Sequence, residues 1–135
     1  INKGSKHKIN LGMVVMDGEY LVGKVVEVNY LSSRVLLLSD LNSKIPVIVE
    51  PNTVFSILSG TGKDYGIIQY SKKYEDIKNE SIIYTSGAGS LFKAGIPIGR
   101  MNINNKSDEK KVEFFSDFSQ LKFVKVVSFK KSENK

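Results

Sequence analysis

The chain is cut into short pieces. Apolar runs of roughly four to eight residues, rich in Val, Ile, Leu, Phe and Tyr, alternate with Gly, Asn, Asp, Ser and Pro along the whole length. No interval sustains the helical spacing of apolar residues, so the pattern predicts about ten short strands and an all-β fold. Met13-Val14-Val15-Met16 runs into Asp17-Gly18 and then into Tyr20 to Val28, a hairpin signal, because Asp-Gly accepts the positive φ of a tight turn. Strict alternation in the second run places Val22, Lys24, Val26 and Val28 on one face and Leu21, Gly23, Val25 and Glu27 on the other. Pro46 pushes the run Ile45 to Glu50 toward a sheet edge or a strand start. Phe123 to Phe129 alternates cleanly and reads as a closing strand. Ser116 or Asp117 caps a short helical turn before it.

A chain of 135 residues with 41% apolar content can bury one core, or two very small ones in contact. Small barrels are the natural solution for so many short strands, because closure removes exposed edges. The glycines divide into two groups of similar grammar, Gly12-Gly18-Gly23 and Gly87-Gly89-Gly95-Gly99, each suited to a kinked hairpin at a barrel corner. The expected architecture is two small barrels of the six-stranded type. Residues 1–44 and 99–130 build the first, residues 45–98 form an inserted second, and 131–135 make a disordered tail. Gly23, Gly87, Gly89, Gly95 and Gly99 are the candidate turn and close-approach glycines.

Several chemistries lack their parts. In Ser86 to Gly99 the Gly87-Ala88-Gly89 start of a dinucleotide fingerprint meets Phe92 where the third glycine belongs. Ser59-Gly60-Thr61-Gly62-Lys63-Asp64 has Ile57 and Asp64 where a phosphate-binding loop needs Gly and Ser or Thr. There is no cysteine and one histidine, His7, set between lysines without apolar shelter. That leaves no thiolate, no metal-ligand spacing and no sheltered general base, so neither catalytic residue nor metal nor other cofactor is expected. The net charge of +6 favours acidic partners: nucleic acid, anionic lipid headgroups or an acidic protein. The lysines are scattered among acidic residues, however, and read first as a solvated surface.

Four segments in order carry a family resemblance. They are Ile1-Asn2-Lys3-Gly4-Ser5-Lys6 with Leu11-Gly12-Met13-Val14-Val15; Gly18 to Val28; Ser33-Arg34-Val35-Leu36-Leu37-Leu38-Ser39-Asp40-Leu41-Asn42-Ser43-Lys44-Ile45-Pro46-Val47; and Thr85-Ser86-Gly87-Ala88-Gly89 to Phe92 with Gly95-Ile96-Pro97-Ile98-Gly99. Together they resemble the extracytoplasmic core of the bacterial rod-shape family MreC. The resemblance implies two β-barrels related to those of chymotrypsin-like proteases but without their catalytic residues. It implies a non-catalytic scaffold of the cell-elongation machinery on the periplasmic or outer face of the inner membrane. The implied partners are the elongation-specific penicillin-binding transpeptidase, MreD, RodZ and, indirectly, MreB. A membrane helix and a coiled coil preceding the core, the latter giving homo-oligomers, belong to the same expectation.

Apolar side chains on turns are better anchors for such a partner than rim lysines. The candidate partner-binding residues are Leu91 and Phe92, between glycines, and Tyr65 and Tyr70 on a hairpin. The rival reading is a nucleic-acid-binding barrel of the OB or SH3-like type. Only two arginines, Arg34 and Arg100, are present, and the aromatics do not interleave with them as a base-stacking platform does.

Overall fold

The computed structural model describes residues 1–69, 77–87, 93–103, 110–121 and 123–128. Ten strands follow in chain order: β1 (Val14–Asp17), β2 (Tyr20–Val28), β3 (Ser33–Leu37), β4 (Lys44–Glu50), β5 (Val54–Gly60), β6 (Tyr65–Gln69), β7 (Ile82–Thr85), β8 (Pro97–Ile103), β9 (Lys110–Phe114) and β10 (Lys125–Val127). Short 3-10 turns lie at Ser5–His7 and Phe118–Gln120. Asp117 caps the second, accepting the Ser119 N–H at 3.0 Å.

Strands β4-β5-β6-β9-β8-β7 close into a six-stranded barrel, and β10-β1-β2-β3 form a four-stranded sheet. The all-β barrel class read from the sequence therefore holds, with the first body a four-stranded sheet among the described residues. The strand assignment differs at one point. Residues 99–114 were expected in the first body, but β8 and β9 complete the barrel. Their hairpin puts Met101 opposite Val112, both with no exposed surface, and β9 then pairs with β6. Alternation alone cannot say which sheet a strand joins; here the register does. After β9 the chain returns, and β10 pairs with β1 through Val14–Val127 and Val15–Val126.

The barrel interior follows from period-two burial. In β4, Ile45, Val47 and Val49 point inward and Lys44, Pro46, Ile48 and Glu50 outward. Pro46 sits inside a strand of a closed barrel, not at a sheet edge. Its carbonyl accepts from Ser86 N–H at 3.4 Å on the side of β7, whose pairing begins only at Val47–Thr85. The missing N–H therefore falls just beyond the ladder. Leu58, Ile68, Ile83 and Ile98 fill the same interior, and truncating one to Ala would cost about 2–5 kcal/mol.

The sheet caps this core with one face. Val14, Met16, Leu21 and Leu38 join the barrel's apolar cluster, while Ile9, Val15, Val22 and Val25 form a second cluster behind them. Phe118 packs against both. The alternation expected along Tyr20–Val28 is interrupted twice. Val22 is the extra residue where Met16 pairs with Leu21 and Val15 with Gly23, and Val26 is extra between the Val25–Val35 and Glu27–Arg34 pairs. The first bulge puts Val22 and Val25 in one cluster, although strict alternation separates them. At Gly23 the backbones approach so closely that a Cβ would stand 2.4 Å from the Leu36 carbonyl oxygen.

Candidate partner-binding surface

What alternation sends outward from this barrel wall is unusually apolar. On β5, Phe55 points away from the core and is 64% exposed. It lies opposite Ile48 on β4; Ile48 lies opposite Tyr84 on β7; Tyr84 lies opposite Pro97 on β8. One row of four apolar side chains thus crosses four strands. Three interstrand spacings of about 4.8 Å make it roughly 14 Å long. A second pair, Pro46 opposite Ile57, runs beside it. Solvated faces of antiparallel sheets ordinarily carry polar residues, and among the described residues this wall departs from that pattern.

A groove of about 650 Å³ lies along the row, lined by Ile48, Glu50, Pro51, Tyr84, Thr85, Ala94 and Gly95. Thr85 organises one wall. It has no exposed surface; its hydroxyl donates to the Lys93 carbonyl at 2.5 Å and accepts from Ile96 N–H at 2.9 Å. Its main chain pairs with Gly95 and Ile96 at 2.9 and 3.0 Å. Two nearby glycines hold left-handed backbone angles, Gly87 at φ +79° and Gly95 at φ +88°. Leu91, Phe92 and Gly89 lie outside the described residues, as does Tyr70. Gly99 serves a different need: a Cβ there would stand 2.3 Å from the Glu113 carbonyl oxygen, so β8 and β9 meet at that point only without a side chain.

Tyr65 is not part of the groove. It stands on β6, across the barrel from β7, with the Lys111 ammonium 4.6 Å from its ring centroid. Both arginines are engaged elsewhere: Arg34 lies opposite Glu27 in the β2–β3 ladder, and the Arg100 guanidinium lies 5.8 Å from the Phe115 ring centroid. His7 accepts the Gly4 N–H on Nδ1 at 3.1 Å and is exposed. Among the described residues no group of three or more His, Cys, Asp or Glu is placed to hold a metal. Sequence reasoning missed Ile48, Phe55, Tyr84 and Pro97. Their one signal was that Ile45 to Val49 and Val54 to Leu58 are apolar at outward as well as inward positions.

A small closed six-stranded barrel capped by a second β-sheet defines a barrel-core class of all-β domain. The family model "Rod shape-determining protein MreC, barrel core" matches residues 1–128, and the chain belongs to that family. The cell shape-determining protein MreC of Cereibacter sphaeroides is 30% identical over 127 residues, which cover 94% of this chain and 42% of that protein. The chain thus spans less than half the length of that relative. The crystal structure of MreC from Pseudomonas aeruginosa is 30% identical with a TM-score of 0.85, covering 95% of this chain and 86% of that one. The MreC of Helicobacter pylori, solved in complex with penicillin-binding protein PBP2, shares the fold at 16% identity, with a TM-score of 0.61 over 78% of this chain and 67% of that one.

Proposed function

We propose that this domain is a non-catalytic scaffold of cell elongation, acting outside the cytoplasmic membrane and holding a peptidoglycan-synthesising penicillin-binding transpeptidase on its barrel wall. The observation that carries the reading is the outward row Phe55–Ile48–Tyr84–Pro97 beside the Thr85 groove. An apolar row of this kind anchors a protein partner and keeps its grip in physiological salt, whereas lysines at a rim mainly tune the association rate. The H. pylori complex supports a penicillin-binding partner for this fold. Contacts with MreD and RodZ, and through them with MreB, belong to the same proposal, as does oligomerisation of the parent protein.

Titration calorimetry against the periplasmic part of the organism's own elongation transpeptidase tests the assignment. Phe55→Ser should weaken binding about tenfold or more, with folding intact because the ring is already exposed. Tyr65→Ala, on the far wall, should bind as the parent does. Unchanged affinity in a folded Phe55→Ser/Tyr84→Ser variant would overturn the surface, and no binding by the parent chain would overturn the partner.

A further inference from the structure

A second surface, remote in sequence from the barrel wall, joins the N-terminal arm to the β2–β3 turn. The arm is fastened along the hairpin by backbone hydrogen bonds. Ile1 exchanges bonds with Ser33 at 2.7 and 3.0 Å, Ser5 N–H reaches the Asn29 carbonyl at 2.8 Å, Lys6 N–H the Tyr30 carbonyl at 3.0 Å, and Gly12 N–H the Val25 carbonyl at 2.9 Å. Gly4 packs so closely that a Cβ would stand 2.1 Å from the Asn29 carbonyl oxygen. The arm is therefore a fixed part of the surface.

Its chemistry is one-sided. Residues 1–16 include Lys3, Lys6 and Lys8 and no acidic residue, and residues 28–39 contain none either. All three lysines are exposed. The nearby Glu27 stands opposite Arg34, which offsets it. The hairpin tip is closed by Asn29 N–H on the Ser32 carbonyl at 2.7 Å, which makes Tyr30 and Leu31 its two central residues. Neither has a positive φ, so the turn accepts a side chain at both. Tyr30 is 65% exposed and Leu31 56% exposed, and Leu11 on the arm is 67% exposed.

We infer that this tip is a docking point for an anionic lipid bilayer surface. Lysines attract acidic headgroups, an exposed Leu enters the acyl boundary, and a Tyr ring with a polar hydroxyl suits the headgroup level between them. Bound phosphate alone would leave the apolar pair without a role. Single-stranded nucleic acid would ask for several stacking rings, where this tip has one. The surface is separate from the Phe55 row, so lipid contact and partner binding are compatible on one molecule.

The test uses the whole chain with Tyr30→Trp as a fluorescent reporter, since no native Trp interferes. Vesicles of phosphatidylcholine alone and with phosphatidylglycerol are compared, beside a single-stranded oligonucleotide and inorganic phosphate. Emission should shift to the blue only on the anionic vesicles, and Phe55→Trp should not respond. Lys3→Gln/Lys6→Gln/Lys8→Gln should weaken vesicle binding about 100-fold at low salt. In the native background, Tyr30→Ser/Leu31→Ser should weaken vesicle sedimentation while leaving the melting temperature unchanged. No association with anionic vesicles, an equal response to oligonucleotide or phosphate, or vesicle binding indifferent to Tyr30 and Leu31 would each overturn the proposal.

Discussion

The rings of Tyr20 and Phe115 meet at 4.9 Å between centroids, with planes tilted by 38°. Tyr20 opens β2 in the sheet, and Phe115 directly follows β9 of the barrel. The Arg100 guanidinium lies against the same Phe115 ring. This contact joins two bodies that already share one apolar cluster, to which the sheet gives Leu21 and the barrel Met101. A double-mutant cycle of Tyr20→Ala and Phe115→Ala should give a coupling of about 0.5–1.5 kcal/mol. Additive losses would mean that the rings only fill space independently.

Gly99 and Gly95 should fail for different reasons when replaced. At Gly99 the obstacle is the Glu113 carbonyl oxygen of the neighbouring strand, which a Cβ would approach to 2.3 Å. Gly99→Ala should cost about 3 kcal/mol, since two paired strands must part. At Gly95 nothing stands within 4 Å, and the cost comes from φ +88° alone. Gly95→Ala should cost about 1–2 kcal/mol, and Gly95→Asn less. Denaturant midpoints of the three variants check the order.

Thr85 is the buried polar residue on which the groove wall depends. Thr85→Val keeps the volume but removes the hydroxyl that bonds the Lys93 carbonyl and the buried Ile96 N–H. The loss should be about 2 kcal/mol. Thr85→Ser retains both bonds and should recover most of it by the same melting measurement.

Asp117 accepts the hydroxyl and the N–H of Ser119, in that order of influence, and its carboxyl is held below the usual carboxylate range. A lowered folded value means that the capped turn is favoured above the ordinary carboxylate pKa. That contribution is lost as pH falls through the lowered value. In a carboxyl-carbon NMR titration, Ser119→Ala should move the Asp117 midpoint upward. A midpoint unmoved by that change would separate the shift from the cap.

How much of this was readable beforehand depends on the range of the interaction. The β1–β2 hairpin was legible because Asp17-Gly18 encodes it locally, and the Asp117 cap for the same reason. The faces of β2 were not, because the bulges at Val22 and Val26 arise from how β1 and β3 pair with it. The barrel was legible as a class, yet the membership of β8 and β9 rests on the Met101–Val112 register. The apolar row was hidden for a related reason. Ile48, Phe55, Tyr84 and Pro97 are scattered over 50 positions of sequence, 48 to 97, and only three separate registers bring them into line.

The return of β10 to β1 has a temporal side. All six barrel strands lie between Lys44 and Phe114, so a growing or translocating chain holds every one of them before Lys125 emerges. The sheet draws its strands from both sides of the barrel in sequence and must wait, with Val14, Val15 and Met16 lacking their last neighbour. Contacts of such long sequence separation form late. Until they do, the β1 edge is an unpaired strand beside a finished barrel, open to pairing with whatever extended segment arrives first.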